Sequence, residues 1–241
     1  MNNYIDNSYG YDTAVQAENE LTLQRYVAGV MRKVYGKMTL GLTATAVTSL
    51  LVMSSQTLMS LFLAAPMTFF VLFALELGLV IYLSARISKI SSGTATALFY
   101  AYSIINGITL TPILLIYTGT SVAWTFAITA GMFGVMTIMG YTTRQDLSKF
   151  GAFMFMALIG VIVCLIVNLF LKSSMMAWCI SIVGVLVFVG LTAWDTQAIK
   201  RMCSESDPTM LGKVATMGAL TLYLDFINLF IHLLRILGSR N

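Results

Sequence analysis

Seven apolar runs of roughly twenty residues take up most of the chain, and no other feature restricts its fold so strongly. They fall at about residues 38–58, 67–87, 94–117, 122–141, 151–171, 176–199 and 214–237. Wound as a helix at about 1.5 Å per residue, each run can cross about 30 Å of hydrocarbon. Inside a bilayer every backbone N–H and C=O must be satisfied within the protein, which leaves helices or closed barrels. The runs show no alternation of period two, so barrels drop out. With 58% hydrophobic residues, 10% charged ones and a mean hydropathy of +0.85, the chain is expected to be an all-α polytopic membrane protein, a seven-transmembrane-helix bundle.

Two of these runs carry an aspartate where one is costly. The sixth reads VLVFVGLTAWDTQAIK and contains Asp195; the seventh reads GALTLYLDFINLFIHLLRIL and contains Asp225. A carboxylate at membrane depth persists mainly where it faces a bundle interior or a watered cavity. On the seventh run Thr221, Asp225, Asn228, His232 and Arg235 follow at steps of four and three, which aligns them as one polar stripe. Thr192, Asp195 and Thr196 are expected to share a face on the sixth. A purely adhesive role between helices competes with a functional one, but Ser, Thr and Asn usually serve as that glue.

The remaining chain is organised around these spans. Residues 1–20 hold Asp6, Asp12, Glu18 and Glu20 among Asn, Ser and Gly, which suggests a disordered acidic cytoplasmic tail preceding a single membrane domain, 21–241. Leu23, Val27, Val30, Met31, Val34 and Met38 recur at helical spacing between Arg25, Arg32 and Lys33. That pattern reads as a basic amphipathic helix lying on the membrane surface. The first span is rich in small residues, Gly41, Ala44, Thr45 and Ala46, which permit close helix packing. The second carries Glu76 near its middle and Arg86 at its end; Arg86 would otherwise snorkel to the headgroups. The third has a polar centre at Asn106, Gly107, Thr109, Thr111 and Pro112. Asp146, between Arg144 and Lys149, reads as a solvated cap on the next helix.

Orientation follows the basic residues. With the N-terminus in the cytoplasm, Arg25, Arg32, Lys33, Lys37, Arg86, Lys89, Arg144, Lys149, Lys200, Arg201 and Lys213 lie inside. Only Lys172, Arg235 and Arg240 of the 14 Lys and Arg lie outside. A last segment re-entering from the cytoplasm is the competing topology, since it would bring Arg235 and Arg240 inside. No signal-peptide pattern precedes the first span, which is expected to act as its own targeting signal. Cys164, Cys179 and Cys203 are single and unspaced for metal or disulfides, and no nucleotide- or nucleic-acid-binding pattern occurs.

Four stretches, NGITLTPILLIYTGTSVAWTF, AGMFGVMTIMGYTTRQDLSKFG, FVGLTAWDTQ and LGKVATMGALTLYLDFINLF, resemble the Bax inhibitor-1 (transmembrane Bax inhibitor motif) family, above all its bacterial members. The resemblance covers about residues 25–238. It implies six helices around a central one, a bacterial inner-membrane location, and a pH-sensitive calcium leak rather than an enzyme. It implies that Asp195 and Asp225 are the family's aspartate pair and that Arg86 is their basic partner. Trp194 departs from the tyrosine common before the first aspartate.

Two carboxylates about 4 Å apart at an effective dielectric of about 20 would repel by on the order of 4 kcal/mol if both ionised. One shared proton is therefore the expected resting state. Its loss would break a contact between helices and leave negative charge that a hard cation such as Ca²⁺ prefers. Ca²⁺, which the resemblance implies as the passing ion, would be met transiently by Asp195 and Asp225, with no resident cofactor. Flux is expected to rise as the proton leaves. Thr221, Asn228 and His232 would line the path, with Glu76 as a further cation-facing group. A non-transporting regulator of membrane proteases or stress responses, docking membrane-protein partners through the acidic tail, is an alternative. A proton-coupled cation exchanger is another. An intramembrane aspartyl protease fits poorly, because bulky Tyr223 and Leu224 precede Asp225.

Overall fold

Among the described residues, helices account for nearly all of the chain, and their order repeats the apolar runs. The computed structural model describes residues 6–64 and 66–241. Eight helices succeed one another: α1 (Asp6–Ser54), α2 (Gln56–Ala64), α3 (Pro66–Arg86), α4 (Ser92–Leu115), α5 (Gly119–Thr142), α6 (Ser148–Leu171), α7 (Ser174–Glu205) and, after a 3₁₀ turn at Pro208–Met210, α8 (Leu211–Leu237). Seven segments are long and apolar enough to cross a membrane, in agreement with the seven-helix expectation. The short α2 was not foreseen in the sequence. Side-chain oxygens of Ser91, Thr118 and Ser173 accept backbone N–H groups at the starts of α4, α5 and α7.

Two expectations change at the N-terminal end. Residues 1–5 of the expected tail lie outside the described residues, but α1 begins at Asp6. Residues 6–20 form the first turns of that helix. Ala14, Gln16, Ala17, Glu18 and Glu20 are strong helix formers, and extending an existing helix avoids the cost of nucleation. Nor does the amphipathic stretch lie on the membrane surface. Val27, Val30, Met31, Val34 and Met38 are buried in the bundle core with Ile199, Cys203, Ala215 and Ala219. An apolar stripe of helical period packs equally well on protein or lipid, and periodicity alone does not choose between them.

Helix α8 is the axis of the bundle. It packs against α7, α1, α5 and α4, while α3 leans mainly on α4, and α6 on α7. The six-around-one arrangement therefore becomes four close neighbours and two outer helices. The sequence of α8 explains its place. Its first half offers small residues, Ala215, Gly218 and Ala219; a Cβ on Gly218 would stand 2.9 Å from Ile199. Its second half offers Phe226 and Phe230, packed edge-to-face on Phe126 at 5.3 and 6.1 Å.

The first span approaches α4 through its small residues, as expected. A Cβ on Gly41 would meet the Phe99 ring at 2.6 Å, and one on Gly107 would meet the Thr45 carbonyl oxygen at 2.5 Å. Across this close contact Thr45 Oγ1 donates to Ser103 O (2.8 Å) and Ser49 Oγ to Gly107 O (2.7 Å). Lys37 Nζ ties α1 to both α4 and α8, donating to Thr96 Oγ1 (2.7 Å) and Thr216 Oγ1 (2.6 Å).

The ends of α8 resolve the topology of the last segment. Near its start, Lys213 Nζ donates to Ser88 O in the α3–α4 connection. Beyond its end, Thr118 N donates to Ser239 O (3.0 Å) and Asn241 N to Ile116 O (2.9 Å). The C-terminus thus docks on the α4–α5 connection, at the other end of α4. A re-entrant segment would return to the end from which it started, whereas α8 passes from one end to the other.

The α5–α6 connection is stapled to α7. Gln197 Oε1 accepts from Leu147 N and its Nε2 donates to Gln145 O, both at 2.8 Å. Asp146 Oδ1 accepts from Ser148 N and Oγ and pairs with Arg201 Nη2 at 2.9 Å. Asp146 thus holds the first amide of α6 from one position before the N-cap, Leu147, and its charged partner is Arg201 on α7 rather than Arg144 or Lys149. The Ser148 hydroxyl and amide, then Arg201, hold the Asp146 carboxyl down from 3.8 to about 2. Because the folded value is the lower one, the staple's contribution is complete above the ordinary carboxyl range and is lost as pH falls toward about 2. Asp146→Asn is expected to lower the melting temperature slightly at neutral pH. The difference from wild type should vanish between about pH 4 and pH 2, and a gap unchanged by acid would assign it to something other than the charge.

Candidate functional site

Between α6, α7 and α8 lies a cavity of about 440 Å³ whose floor is formed by the two intramembrane aspartates. Asp195 comes from α7 and Asp225 from α8, the most extensively packed pair of helices in the bundle. Both residues line this one cavity, one from each helix. Asp225 is buried at 5% exposure, and its Oδ2 has no hydrogen-bond partner among the described residues. Such an atom is costly to leave unsatisfied, so the position calls for a proton, a water or a cation.

The stripe expected on the last span lines this cavity in large part. Thr221, Asp225, Asn228 and His232 all contribute, together with Trp194 and Phe188 of α7. Asn228 Nδ2 donates to Leu224 O at 2.8 Å, and the residue lines the cavity. His232 is buried, its ring stacked on Phe188 at 5.7 Å and its Nδ1 without a partner. Gly184 makes room for that ring, since a Cβ there would stand 2.5 Å from it. Arg235, the last member of the stripe, is exposed and lines a separate cavity near the C-terminus. The opposite wall, Phe155, Leu158, Val161, Ile162 and Leu165 of α6, is wholly apolar.

Other expected members are elsewhere. Thr192 and Thr196 are fully buried and return their hydroxyls to Phe188 O and Thr192 O, each at 2.7 Å. Of the three polar residues on α7, only Asp195 reaches the cavity. Arg86 does not join the aspartates. It is exposed at the end of α3, and α3 packs on α4 rather than on α7. Among the described residues the one ion pair joins Asp146 and Arg201. A long basic side chain at a span end gains more from headgroups and water than from a buried carboxylate it would have to cross the bundle to reach. Arg86→Ala is accordingly expected to leave any flux–pH curve where it is, measured in the same liposomes as wild type; a displaced curve would restore a link to the pair.

Glu76 is buried in a different polar cluster. Its Oε1 accepts from Thr109 Oγ1 (2.6 Å) and Asn106 Nδ2 (3.5 Å), while Asn106 Oδ1 accepts from the Tyr223 hydroxyl (3.0 Å). Tyr223 and Thr45 hydroxyls lie 2.6 Å apart. This chain joins α3, α4, α8 and α1, and explains why the third span has a polar centre. Tyr223 and Asp225 are two positions apart, so they leave α8 on nearly opposite sides. The cluster was missed as a unit because its members lie on four separate helices. The one signal available was the coincidence of Glu76 with Asn106 and Thr109 at matching depth in adjacent spans.

Among the described residues no three His, Cys, Asp or Glu side chains converge on a common point. A cation at the pair would meet two carboxylates and neutral oxygens such as those of Thr221 and Asn228. For Ca²⁺, which takes six to eight oxygens in binding sites, this set needs water as well and suits passage better than storage.

A family model described as inhibitor of apoptosis-promoting Bax1 matches residues 27–241. An inner membrane protein of Escherichia coli, YbhL, is 48% identical over 221 residues, covering 90% of this chain and 93% of its own. A Rickettsia prowazekii protein described as uncharacterized is 42% identical, with 90% and 91% covered. An uncharacterized membrane protein of Streptococcus pyogenes is 37% identical, with 95% and 99% covered.

Proposed function

Because the chain belongs to the family of the inhibitor of apoptosis-promoting Bax1, we propose that this integral membrane protein is a pH-sensitive leak for Ca²⁺, gated by a proton shared between Asp195 and Asp225. The observation that carries the reading is that the two aspartates, one from each of two closely packed helices, line a single cavity, with Asp225 Oδ2 lacking a hydrogen-bond partner among the described residues. With one proton between them, the carboxyls join α7 to α8. Without it, two like charges in a poorly screened site repel, and the helices separate or take up a cation and water. The cavity walls supply Thr221, Asn228 and His232 along the axis of α8 toward its C-terminal end. Glu76, on the far side of α8, belongs to a structural cluster that holds α3 to α4 and α8.

The relative in Escherichia coli is an inner membrane protein, and we place this chain in the equivalent membrane. Its basic end, with eleven of the 14 Lys and Arg, faces the cytoplasm in this reading. A reporter active only in the cytoplasm and fused after Asn241 is then expected to stay silent. Activity there would reverse the assignment.

The direct test is Ca²⁺ uptake, reported by a trapped dye, into liposomes holding the purified protein across a series of pH values. Uptake that varies steeply with pH and needs the protein is the expected result. Absence of flux at every pH would favour a non-transporting regulator. Flux coupled in fixed ratio to proton movement would favour an exchanger.

A further inference from the structure

The stretch GYTTRQDLSKFG supplies no lining residue of the aspartate cavity. It lies where the α5–α6 connection meets α7 and residues 23–27 of α1. There it forms one wall of a cavity of about 610 Å³. We propose that this cavity binds the phosphate-bearing headgroup of an anionic phospholipid. The proposal is independent of the Ca²⁺ reading.

Charge is the first reason. Arg144, Lys200 and Arg201 all line the cavity, against the single carboxylate of Asp146. Asp146 is already matched by Arg201 at 2.9 Å, so Arg144 and Lys200 leave an excess of positive charge. Lys200 uses one of its three ammonium donors on Tyr141 O at 2.9 Å and rests 4.8 Å from the centre of the Tyr141 ring. Two donors are left for a ligand. Arg144 is exposed and has no hydrogen-bond or ion-pair partner among the described residues. A guanidinium left with its full fork of donors matches a phosphate well.

Rigidity is the second reason. The connection that carries Arg144 is fastened from both sides of the peptide chain. Gln197 takes Leu147 N and gives to Gln145 O, and Lys200 and Arg201 hold Tyr141 and Asp146. Such a preformed wall loses little conformational freedom when a ligand arrives. Shape and polarity supply the third. Facing the basic wall are Leu23 and Val27 of α1, at the mouth of an apolar stripe that continues down the helix into the core. A ligand with a phosphate on one side and apolar carbon on the other fits both walls, and the bilayer presents such molecules at this depth. A free phosphate ion would use the basic wall only.

The test uses the full-length protein in detergent supplied with equal amounts of phosphatidylglycerol and phosphatidylcholine, with retained lipid read by native mass spectrometry. Wild type is expected to retain phosphatidylglycerol preferentially. Arg144→Ala should reduce that preference by about fivefold, the factor that one juxtamembrane basic residue contributes. Arg144→Lys should keep most of it. Arg144 has no hydrogen-bond or ion-pair partner among the described residues, so both variants should melt like wild type in phosphatidylcholine alone. An undiminished preference in Arg144→Ala would overturn the proposal. So would a stabilisation by inorganic phosphate equal to that by phosphatidylglycerol, which would assign the site to the free anion.

Discussion

Liposomes carrying Asp225→Asn are expected to pass Ca²⁺ at a rate that no longer changes with pH, and those carrying Asp195→Asn should behave alike. Asparagine keeps the volume and most of the hydrogen-bonding capacity of aspartate but has no proton to lose. Either change removes the repulsion between two carboxylates, which at about 4 Å and an effective dielectric of about 20 is on the order of 4 kcal/mol. That energy sets the ceiling on the effect: roughly a thousandfold in any equilibrium between closed and open arrangements. A single substitution should suffice because the repulsion belongs to the pair and not to either residue. The double variant should therefore add little to either single one. Equal pH dependence in wild type and both variants would place the sensor elsewhere in the bundle. A wild type without flux would remove the transport reading altogether.

Gly140→Val is expected to produce the largest structural effect of any single change on α5. Gly140 packs directly on the backbone of α7, where a Cβ would run into the carbonyl of Ala193. Backbone cannot swing aside as a flexible side chain can, so the two helices must part. Overpacking of this kind costs about 1–3 kcal/mol and sometimes more. Ala193 is two residues from Asp195, so the displacement should also disturb the aspartate pair. Gly131→Ala, on the same helix, is the control. Nothing lies within 4 Å of its added Cβ, and alanine favours a helix by about 1 kcal/mol over glycine. Thermal melting in detergent should show a large loss for Gly140→Val and none for Gly131→Ala. A pair of equal losses would mean that helix crossing distance at Gly140 is not what the residue provides.

Much of the candidate site was legible one helix at a time. Steps of four and three along α8 put Thr221, Asp225, Asn228 and His232 on one face, and all four line one cavity. The same arithmetic failed on α7, where Thr192 and Thr196 share a helix with Asp195 but not its surroundings. Periodicity says which residues lie together on a helix surface. It is silent about which neighbour covers that surface. Nor does position along a helix reveal that Glu76 lies across α8 from the cavity, or that Arg86, which the resemblance pairs with the aspartates, forms no ion pair with them among the described residues.

By itself the sequence determined the number of spanning helices, their limits to within a few residues except at the first span and at the end of α7, and the clustering of basic charge at one end, together with the stripe of polar residues on the last span. Each follows from a local rule: a bilayer admits only internally bonded segments of a certain length, and a helix repeats every 3.6 residues. Tertiary structure alone decided that α8 is the axis, that the amphipathic start of α1 packs on protein and not on lipid, and that Glu76 is held by Thr109 and Asn106. Lipid tails and Leu side chains are nearly equivalent surroundings for an apolar face, so hydrophobicity cannot select the neighbour. That selection came from steric fit and hydrogen bonding between helices far apart in the chain: Gly107 under Thr45, Gly140 under Ala193, and the Tyr223 hydroxyl reaching Asn106.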